Sequence, residues 1–325
     1  RRAMATFRKV GTIQNYQHMM VERMVERGYE RSFAQRCFDQ VKGFGEYGFP
    51  ESHAASFALL VYISSWLKCH HPEVFCTALL NSQPMGFYAP AQIVRDAQNH
   101  GVTVLQPDIN FSLWDNRVEP LSNNQLAVRL GLRQIDGLGE DAAHQIVSKR
   151  NSSYSTLDDL RARTGLERRS LEILSSADAF ASLHTSRRDA LRAVMGDPKR
   201  SVLPLFEYAD QSENTLDPAT ELPLMPQSEE VLQDYQTFRL SVKGHPLEFL
   251  RQTYNHRRVL STTKAVGLAN NSWVRTAGLV LVRQRPGAAK GVVFITIEDE
   301  TGEANIVVWQ KVFHKFRSVV MGARI

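Results

Sequence analysis

The sequence predicts a multidomain chain of mainly α structure, followed by a small all-β domain that is incomplete at the C-terminus. Apolar residues recur at helical spacing through most of the first two hundred residues. From Val274 onward they alternate with polar residues, which is the spacing of half-buried strands. With 325 residues, of which 43% are hydrophobic, the chain is long enough for two or three domains with real cores.

The charge of the chain is positive and unevenly distributed. Lys and Arg total 39 against 34 Asp and Glu, which gives a formal net charge of +5. Ten bases and a single acid, Glu248, lie between Arg239 and Lys290, whereas residues 207–234 carry eight acids and no base. The positive balance favours an acidic partner, and the basic segment is where we expect a polyanion to be attracted.

Cysteine usage and hydropathy indicate the compartment. Three cysteines cannot form a disulfide framework, no segment resembles a signal peptide, and no apolar run is long enough to span a membrane. We therefore expect a chain of the reducing cytoplasm with no membrane partner. The chain begins at Arg1 without an initiator and ends inside a patterned β segment, so we expect it to be a piece of a longer protein.

Two helices are predicted near the start of the chain, over residues 14–27 and from Ser32 to Gly43. A glycine follows the first helix, and Ser32 and Gln35 have the spacing of a capping box at the second. The apolar residues that share a face are Tyr16, Met20 and Met24 in the first helix and Phe33, Cys37 and Val41 in the second.

A glycine-rich turn then leads into a long helix that begins at Ser52 and closes before Pro72. His53, at the start of this helix, either hydrogen-bonds a ligand or caps the helix. A zinc site is an alternative use of the cysteines and histidines at its far end, but Pro72 interrupts their spacing and no paired C-x-x-C occurs. The residues concerned are Cys69, His70, His71 and Cys76.

A turn with two glycines, Gly137 and Gly139, lies between two segments with helical patterns. Glycines can take positive φ at low cost and let the backbone approach a ligand closely. Amides at the start of the second helix would point outward, where the helix dipole also favours an anion. We therefore predict a helix-hairpin-helix that binds the phosphates of nucleic acid. The predicted contacts are Ile135, Gly137, Leu138 and Gly139, with Lys149 and Arg150 at the end of the second helix.

The same residues also match part of a dinucleotide-binding motif, Gly137-x-Gly139-x-x-Ala142. That site would need a strand running directly into the glycines and an acidic residue ending a second strand about 20 positions later. Asp158 and Asp159 have roughly this spacing, but they follow Thr156 in the pattern of a capped helix start. A plain tight turn is the other alternative.

Short β-like runs precede the hairpin, at residues 102–105, 115–118 and 126–130, after a helix over residues 91–100. Further helices are predicted over residues 156–164, 168–176, 186–194 and 229–242. Two of these helices carry pairs of adjacent basic residues, Arg168-Arg169 and Arg187-Arg188. Each pair forms either a solvated face or additional phosphate contacts beside the hairpin.

An apolar segment, Val202–Phe206, lies before the acidic stretch. A Leu-Phe pair on a flexible linker is suited to a peptide groove on a partner, with the two side chains as anchors. The alternative is that the pair folds back onto the body of the protein.

The last segment is predicted to form strands over residues 274–282, 292–298 and 304–309, with a hairpin turn at Asp299–Gly302. Basic residues and aromatics among these strands, such as Arg275, Arg283, Phe294 and Trp309, suggest an OB-type barrel. Glu298 and Glu300 have the spacing of metal ligands, but at a hairpin tip we expect solvated turn residues.

Together these stretches resemble one family nearly from end to end, the bacterial C-family DNA polymerases. Arg1-Arg2-Ala3-Met4 resembles the fingers motif whose arginines contact the triphosphate of the incoming nucleotide, and Gly45–Phe57 resembles the fingers signature around the nucleotide pocket. Val202–Phe206 falls where the family has its sliding-clamp peptide, with Val202 where a glutamine is usual. The resemblance implies nucleotide-binding roles for Arg1, Arg2, Arg8, Lys9, Ser52 and His53, and clamp-binding roles for Val202, Leu203, Pro204, Leu205 and Phe206.

The resemblance also implies a division of the chain. Its parts are a fingers portion (1–118), a helix-hairpin-helix duplex-binding domain (119–200), a linker with the clamp peptide (201–228), a helical connector (229–272) and a truncated OB fold (273–325). For DNA binding we list Ile135, Gly137, Leu138, Gly139, Lys149, Arg150, Arg168, Arg169, Arg275 and Arg283.

Two departures favour the error-prone ImuC-type paralogue over the replicative polymerase III α subunit. Replicative enzymes continue Gly-Lys-Lys after the methionine, whereas this chain has Ala5-Thr6-Phe7 before Arg8 and Lys9. Residues 82–88 also look more like the ImuC type. The resemblance thus implies damage-induced translesion synthesis with primer-template DNA, a deoxynucleoside triphosphate, the β sliding clamp and an ImuB-type mutasome protein as partners.

The family's metal-binding aspartates lie in a palm domain upstream of Arg1, and no Asp-x-Asp pair occurs in this chain. We therefore expect no cofactor here, Mg²⁺ in the palm, and no polymerisation by this piece alone. The alternatives are the replicative subunit, a non-catalytic DNA-binding or clamp-recruitment scaffold, and a repair enzyme such as a ligase, for which we find no adenylated-lysine motif.

Overall fold

The computed structural model describes residues 16–47, 51–86, 88–121, 125–196, 222–287 and 291–325. Within these ranges, the side chains at residues 42–47 and 51–53 are not described. Outside the described residues lie the predicted nucleotide contacts Arg1, Arg2, Arg8 and Lys9, the side chains of Ser52 and His53, and the predicted clamp peptide Val202–Phe206.

The chain divides into two compact units, Arg1–His71 and Pro72–Ile325. The first unit contains α1 (Gln17–Glu26), α2 (Arg31–Tyr47) and α3 (Glu51–His70). The second unit contains α4 (Pro72–Asn81), α5 (Pro90–Asn99), α6 (Glu140–Lys149), α7 (Leu157–Thr164), α8 (Arg168–Ser176), α9 (Arg187–Gly196), α10 (Gln227–Thr237), α11 (Arg251–His256), α12 (Thr262–Val266), α13 (Gln310–Lys315) and α14 (Arg317–Gly322). A mainly α chain with a small β part at its end is the class that the sequence predicts.

A small core joins α1 to α2 in the first unit. Val21 of α1 and Ala34 and Phe38 of α2 are buried, and Met20 and Met24 pack against them. The face that the sequence pattern assigns to Met20 and Met24 is therefore the one that packs in this core.

Two features of α2 differ from the sequence pattern. Phe33 is 42% exposed, because the buried face of the helix runs through Ala34 and Phe38 instead. The helix also continues through Gly43 to Tyr47. A glycine inside a helix costs only about 1 kcal/mol relative to alanine, which is too little to stop a helix that neighbouring residues support.

The first sheet of the second unit consists of β1 (Thr103–Leu105), β2 (Arg117–Pro120) and β3 (Leu126–Arg129), in the order β1-β3-β2. β1 is parallel to β3, and β2 is antiparallel to it. These strands match the predicted β-like runs. The expected boundary of the fingers portion lies at residue 118. Since β1 lies before that position and β3 after it, the sheet spans the expected boundary.

One hydrophobic core extends from α4 through the first sheet and the hairpin to the end of α10. Leu80, Val128, Ile146, Leu174 and Phe238 are among its buried members. This core positions the hairpin, because the elements on both sides of the two glycines contribute to it.

α7 begins as predicted, and α10 ends early. The Thr156 hydroxyl accepts a hydrogen bond from the Asp159 amide at 3.1 Å, which is the expected cap. α10 ends at Thr237, although the sequence predicts helix to residue 242. The chain leaves the helix there because Phe238 and Leu240 both turn into the core, where they are 2% and 1% exposed.

The second sheet is an antiparallel meander of β4 (Leu279–Gln284), β5 (Val293–Asp299) and β6 (Gly302–Val308), followed by α13 and α14. The pairing of Asp299 with Gly302 confirms the predicted hairpin turn. One face of the sheet is buried through Val293, Ile295 and Ile297. Across the residues that the structure describes, none of the helices has the length and apolar character needed to cross a membrane.

Candidate nucleic-acid interface

Buried apolar side chains anchor the hairpin in the core. A short 3-10 helix, Leu132–Gln134, precedes the turn, and α6 follows it. Leu132, Ile135 and Leu138 are buried at 0%, 2% and 6% exposure. The side chains of Ile135 and Leu138 therefore anchor the turn in the core. Of these two residues, only the backbone is placed to take part in the predicted contact with nucleic acid.

The two glycines of the turn have different roles. Gly137 has φ of +85°, which a residue with a side chain adopts only at a cost, as predicted. Gly139 has φ of −74° and ψ of 148°, so the expectation of positive φ is wrong there. Gly139 is the N-cap residue of α6, and a Cβ added to it would meet no atom within 4 Å. The fold therefore does not require glycine at this position, and the space beside it is open.

The amides of Gly137 and Gly139 have no hydrogen-bond acceptor in the described part of the chain, and no side chain caps α6. An uncapped helix start carries partial positive charge, which favours an anion. Glu140 and Asp141 lie in the first turn of α6, so an incoming anion is confined to the side of the turn where the glycines lie. The arrangement can accept a phosphate through backbone amides, in a manner independent of base sequence.

A distant arginine reaches this turn from the segment after α10. Arg239 donates to the Asp136 carboxylate at 2.7 Å, and the Asp136 amide donates to the Thr237 carbonyl at 2.8 Å. The Arg239 side chain remains 79% exposed. Sequence reasoning missed this residue, since only the tertiary fold brings position 239 beside position 136.

Arg169 is the predicted cation that lies best for a phosphate near the hairpin. It is exposed, and no ionic partner for it occurs among the residues described. It precedes Ile173 by one turn of α8, so the two side chains share a face. A Cβ at Gly137 would be 3.6 Å from the Ile173 side chain, which places that face of α8 beside the turn.

Several other predicted cations are used by the fold. The Arg150 guanidinium donates to the carbonyls of Ile109 and Ser112 at 2.8 and 2.9 Å, and burial lowers its pKa. Arg168 donates to Glu172 at 2.8 Å and to the Met195 carbonyl at 3.3 Å. Lys149 is exposed but lies at the far end of α6. The sequence cannot distinguish these cases, because an arginine that satisfies carbonyls looks the same as one that meets solvent.

The second pair of basic residues, Arg187-Arg188, also forms ion pairs within the fold. Arg187 is buried and donates to Asp234 at 2.5 Å, and Arg188 donates to Glu229 at 2.7 Å. The alternative of phosphate contacts at Arg187-Arg188 is therefore replaced by a structural role. Two acids of the base-free stretch are neutralised by these arginines.

The two cations predicted to bind DNA on the second sheet also differ in whether the fold already uses their charge. Arg275 is exposed, whereas Arg283 donates to the Ala323 carbonyl at 2.5 Å. Phe294 and Trp309 are 41% and 66% exposed, and Phe294 lies opposite Val307 in the adjacent strand. This face presents aromatic rings to solvent, which is the chemistry of a base-stacking surface.

The expectation that Glu298 and Glu300 are solvated turn residues is wrong. Glu298 is 4% exposed, and Glu300 accepts hydrogen bonds from Arg251 at 2.5 and 2.9 Å. Asp299 is fully buried and accepts hydrogen bonds from Arg251 at 2.7 Å and from the Thr262 amide at 2.8 Å. Burial opposes its ionisation, but hydrogen bonds from Thr262 and Thr301 outweigh it and lower the pKa of Asp299 to about 2. The turn is therefore an anchor of the sheet.

Glu298 joins this anchor to the helical body. It is 4% exposed and pairs with Arg95 of α5 at 2.7 Å and with His245 at 3.2 Å. Arg95 also donates to the Asp299 carbonyl. An ion pair between Arg95 and the buried Glu298 thus connects the second sheet to the hairpin body, the part of the chain from α4 to α10 that shares a core with the hairpin.

Metal ligation is not available to this cluster or to the cysteines. Within the described ranges, no group of His, Cys, Asp and Glu could hold a metal ion. Cys69 is exposed and Cys76 is buried, and burial raises the pKa of the Cys76 thiol to about 12. The residues present therefore do not fit a bound Mg²⁺ or Zn²⁺, and no chemical step is assigned to either metal here.

Comparison with known proteins agrees with this geometry. Residues 101–190 match the helix-hairpin-helix motif family. This match, together with a 3-10 helix instead of a strand before the glycines, overturns the dinucleotide-binding alternative.

Several proteins named error-prone DNA polymerase match the entire chain. Proteins named error-prone DNA polymerase from Brucella abortus and Rhodopseudomonas palustris BisA53 are 58% and 52% identical to it, and error-prone DNA polymerase 1 of Rhizobium meliloti is 51% identical. All of this chain is covered in each comparison, but the chain spans only 30%, 30% and 31% of these relatives' lengths. The chain is therefore similar over its whole length to error-prone DNA polymerases, and it spans about 30% of the length of these relatives.

Proposed function

We propose that this chain holds the primer-template duplex within an error-prone DNA polymerase that acts in damage-induced translesion synthesis. The observation that carries the proposal is the pair of amides without acceptors at Gly137 and Gly139, presented at the uncapped start of α6. Phosphate is the anion that such a site accepts most readily. Arg169 and Arg239 add positive charge beside the turn.

Binding of this kind positions a duplex without reading its sequence. The affinity falls steeply as salt rises, because each neutralised phosphate releases counterions. These properties suit a polymerase, which must hold every sequence that it copies.

The test of the duplex site is Gly139→Val in the full-length polymerase, with Gly196→Val as the matched control. Both glycines have open space where a Cβ would be, so the two variants are matched in the room that the added side chain enters. We expect Gly139→Val to weaken duplex affinity about tenfold, the loss of one charge-assisted hydrogen bond of roughly 1.5 kcal/mol. Equal affinities of the two variants for duplex DNA would show that the hairpin does not bind it.

For the fingers, we propose that the arginines at the start of the chain bind the incoming nucleotide. The support is the resemblance of Arg1-Arg2-Ala3-Met4 and of the stretch containing Ser52 and His53 to the fingers motifs. Arg8 and Lys9 add charge nearby in sequence. Guanidinium groups would position the triphosphate and stabilise the charge that develops during transfer.

Arg2→Ala in full-length protein tests this role. We expect a raised KM for the deoxynucleoside triphosphate and an unchanged Kd for primer-template DNA. A non-catalytic scaffold would show neither nucleotide affinity nor primer extension, so the same assay separates the polymerase from that alternative.

For the linker, we propose that Val202–Phe206 binds the β sliding clamp, with Leu205 and Phe206 as anchors. The support is their position in sequence, between a proline and the acidic stretch. Replacing both anchors with alanine is expected to abolish clamp-stimulated synthesis and to leave clamp-independent synthesis unchanged. Unchanged stimulation would assign recruitment to another contact, such as an ImuB-type protein.

For the second sheet, we propose an OB-type barrel that lies near the single-stranded template. Three antiparallel strands followed by a helix agree with this fold, and Phe294 and Trp309 offer stacking surfaces. Arg275 is the exposed cation that would accompany them. Trp309→Ala is expected to lower affinity for single-stranded template and to spare duplex affinity.

A further inference from the structure

α3 presents large apolar side chains on every side. Five consecutive residues, 59–63, are 45% to 70% exposed, and Trp66 is 46% exposed. Successive residues of an α-helix are 100° apart, so five positions cover the full circumference. The α3 surface, as we call it, consists of Leu59, Leu60, Val61, Tyr62, Ile63 and Trp66.

The α3 surface lacks the features of a water-facing helix. No Asp, Glu, Lys or Arg occurs between Ser52 and Leu67. A helix of a soluble protein that is apolar all round is a buried helix, and contiguous apolar patches of this kind mark interaction sites. The absence of charge also argues against a transient partner, since such interfaces have a polar rim and obligate ones resemble a core.

The circumference of α3 limits what can cover it. A second copy that docks along one side would leave the opposite side in water. Complete coverage needs elements on several sides, which is the arrangement inside a domain core. The chain spans 30% of the length of the Brucella abortus relative, so most of that polypeptide is available to supply those elements.

We propose that the α3 surface is covered by the remaining part of the same polymerase polypeptide, with α3 as the central helix of the core that the two parts form. The proposal depends on the similarity of the whole chain to one part of longer polymerases and not on DNA binding. Failure of the duplex-binding proposal would therefore leave it unaffected.

Hydroxyl-radical footprinting of the full-length polymerase, without DNA, tests the proposal. Tyr62 and Trp66 are the reporters, and Trp273, which is 101% exposed, is the internal control. Relative to that control, we expect labelling of Tyr62 to fall roughly tenfold between the 325-residue chain and the full-length protein. This is the change from 70% exposure to the about 5% or less of a buried side chain.

Equal labelling of the reporters in the two proteins would overturn the proposal. So would protection that is already complete in the 325-residue chain, because the cover would then lie within it. Protection that appears only at concentrations where the polymerase dimerises would identify a second copy, and protection that requires phospholipid vesicles would identify a lipid surface. Either result would replace the proposed occupant.

A pair of matched substitutions gives a second readout in the full-length protein. Leu60→Gln is expected to lower the midpoint of thermal unfolding by about 3 °C or more, because it places an amide in a core. Leu224→Gln is the control, since Leu224 is 84% exposed. Equal midpoints for the two variants would contradict burial of the α3 surface, even if folding yields were normal.

Discussion

At the scale of single residues, the arginines of the hairpin body differ in what their guanidinium groups already contact. Arg150 satisfies two backbone carbonyls, and Arg168 is shared between a carboxylate and a carbonyl. Arg169 is exposed beside them and has no ionic partner in the described part of the chain. Only a cation that is free to meet a phosphate contributes fully to the salt dependence of binding.

Arg169→Gln is therefore expected to reduce the slope of log K against log salt by about 0.9, the value for one phosphate contact. Arg168→Gln is the matched control and should change the slope less, because its charge is already paired with Glu172. Titration of duplex DNA at several salt concentrations measures both. Identical slopes for the two variants would remove Arg169 from the interface.

Asp299 shows at the same scale how a buried carboxylate depends on pH. Its pKa in the folded protein is about 2, below the ordinary value of 3.8 for an aspartate, so its contribution to stability is complete above pH 3.8 and is lost as pH falls through 2. Asp299→Asn is expected to lower the free energy of unfolding by about 2 kcal/mol at pH 7, with a smaller difference from the wild type near pH 2. Urea unfolding across this range measures it.

The control for Asp299 is Glu303→Gln on the adjacent strand, where the side chain is exposed. This variant should match the wild type within about 0.5 kcal/mol at every pH. A difference for Asp299→Asn that does not change with pH would contradict the assigned ionisation.

At the scale of the element, the hairpin separates two uses of glycine. Gly137 is required by the turn, because its φ of +85° lies in the left-handed region. Gly139 is extended and is not required by the fold. The sequence shows two equivalent glycines, whereas the structure requires only Gly137 for the fold and leaves open space beside Gly139.

Gly137→Ala is accordingly expected to lower the free energy of unfolding by roughly 1–2 kcal/mol, the cost of a left-handed residue with a Cβ. Gly139→Ala should leave stability within about 0.5 kcal/mol of the wild type. Chemical denaturation of the two variants gives the comparison. A larger loss for Gly139→Ala would mean that its role is structural.

The elements also show how far local patterns extend. The cap of α7 at Thr156 and the turn between β5 and β6 follow from neighbouring residues, and both are found as predicted. The end of α10 does not, since Phe238 and Leu240 leave the helix to fill a core built by distant segments. Local propensity is worth only a few tenths of a kcal/mol per residue, and burial of a large side chain exceeds it.

At the scale of the whole molecule, the second sheet is connected to the hairpin body through buried charges. Arg95 of α5 pairs with Glu298 of β5, which His245 also contacts. Loss of one partner leaves the other charge buried without its counterpart, which typically costs more than the pair contributes. This contact joins the β part to α5 of the hairpin body.

Arg95→Met and Glu298→Met are each expected to lower the free energy of unfolding by about 3 kcal/mol. The double variant should lose at least about 1 kcal/mol less than the two together, because neither charge is then orphaned. Urea unfolding of the four proteins completes the cycle. Strict additivity would show that the two side chains do not act as a pair.

The 325-residue chain by itself is expected to bind duplex DNA with strong salt dependence and to extend no primer in the presence of Mg²⁺. The reason is that the described residues contain no group that could hold a metal ion. A primer-extension assay, run beside a duplex-binding assay on the same preparation, provides the measurement. Extension by this chain would show that catalytic carboxylates lie within it.

The sequence by itself determined the class of the fold, the hairpin and its family, because these depend on spacing between near neighbours. Glycines two residues apart, apolar residues at helical intervals and alternating strands all act over a few residues. The tertiary structure alone decided which cations are free, that Arg239 reaches the hairpin, and that Glu298 and Asp299 are buried. The physical reason is that the charge state and exposure of a side chain depend on partners that are far away in sequence and meet only when the chain is folded.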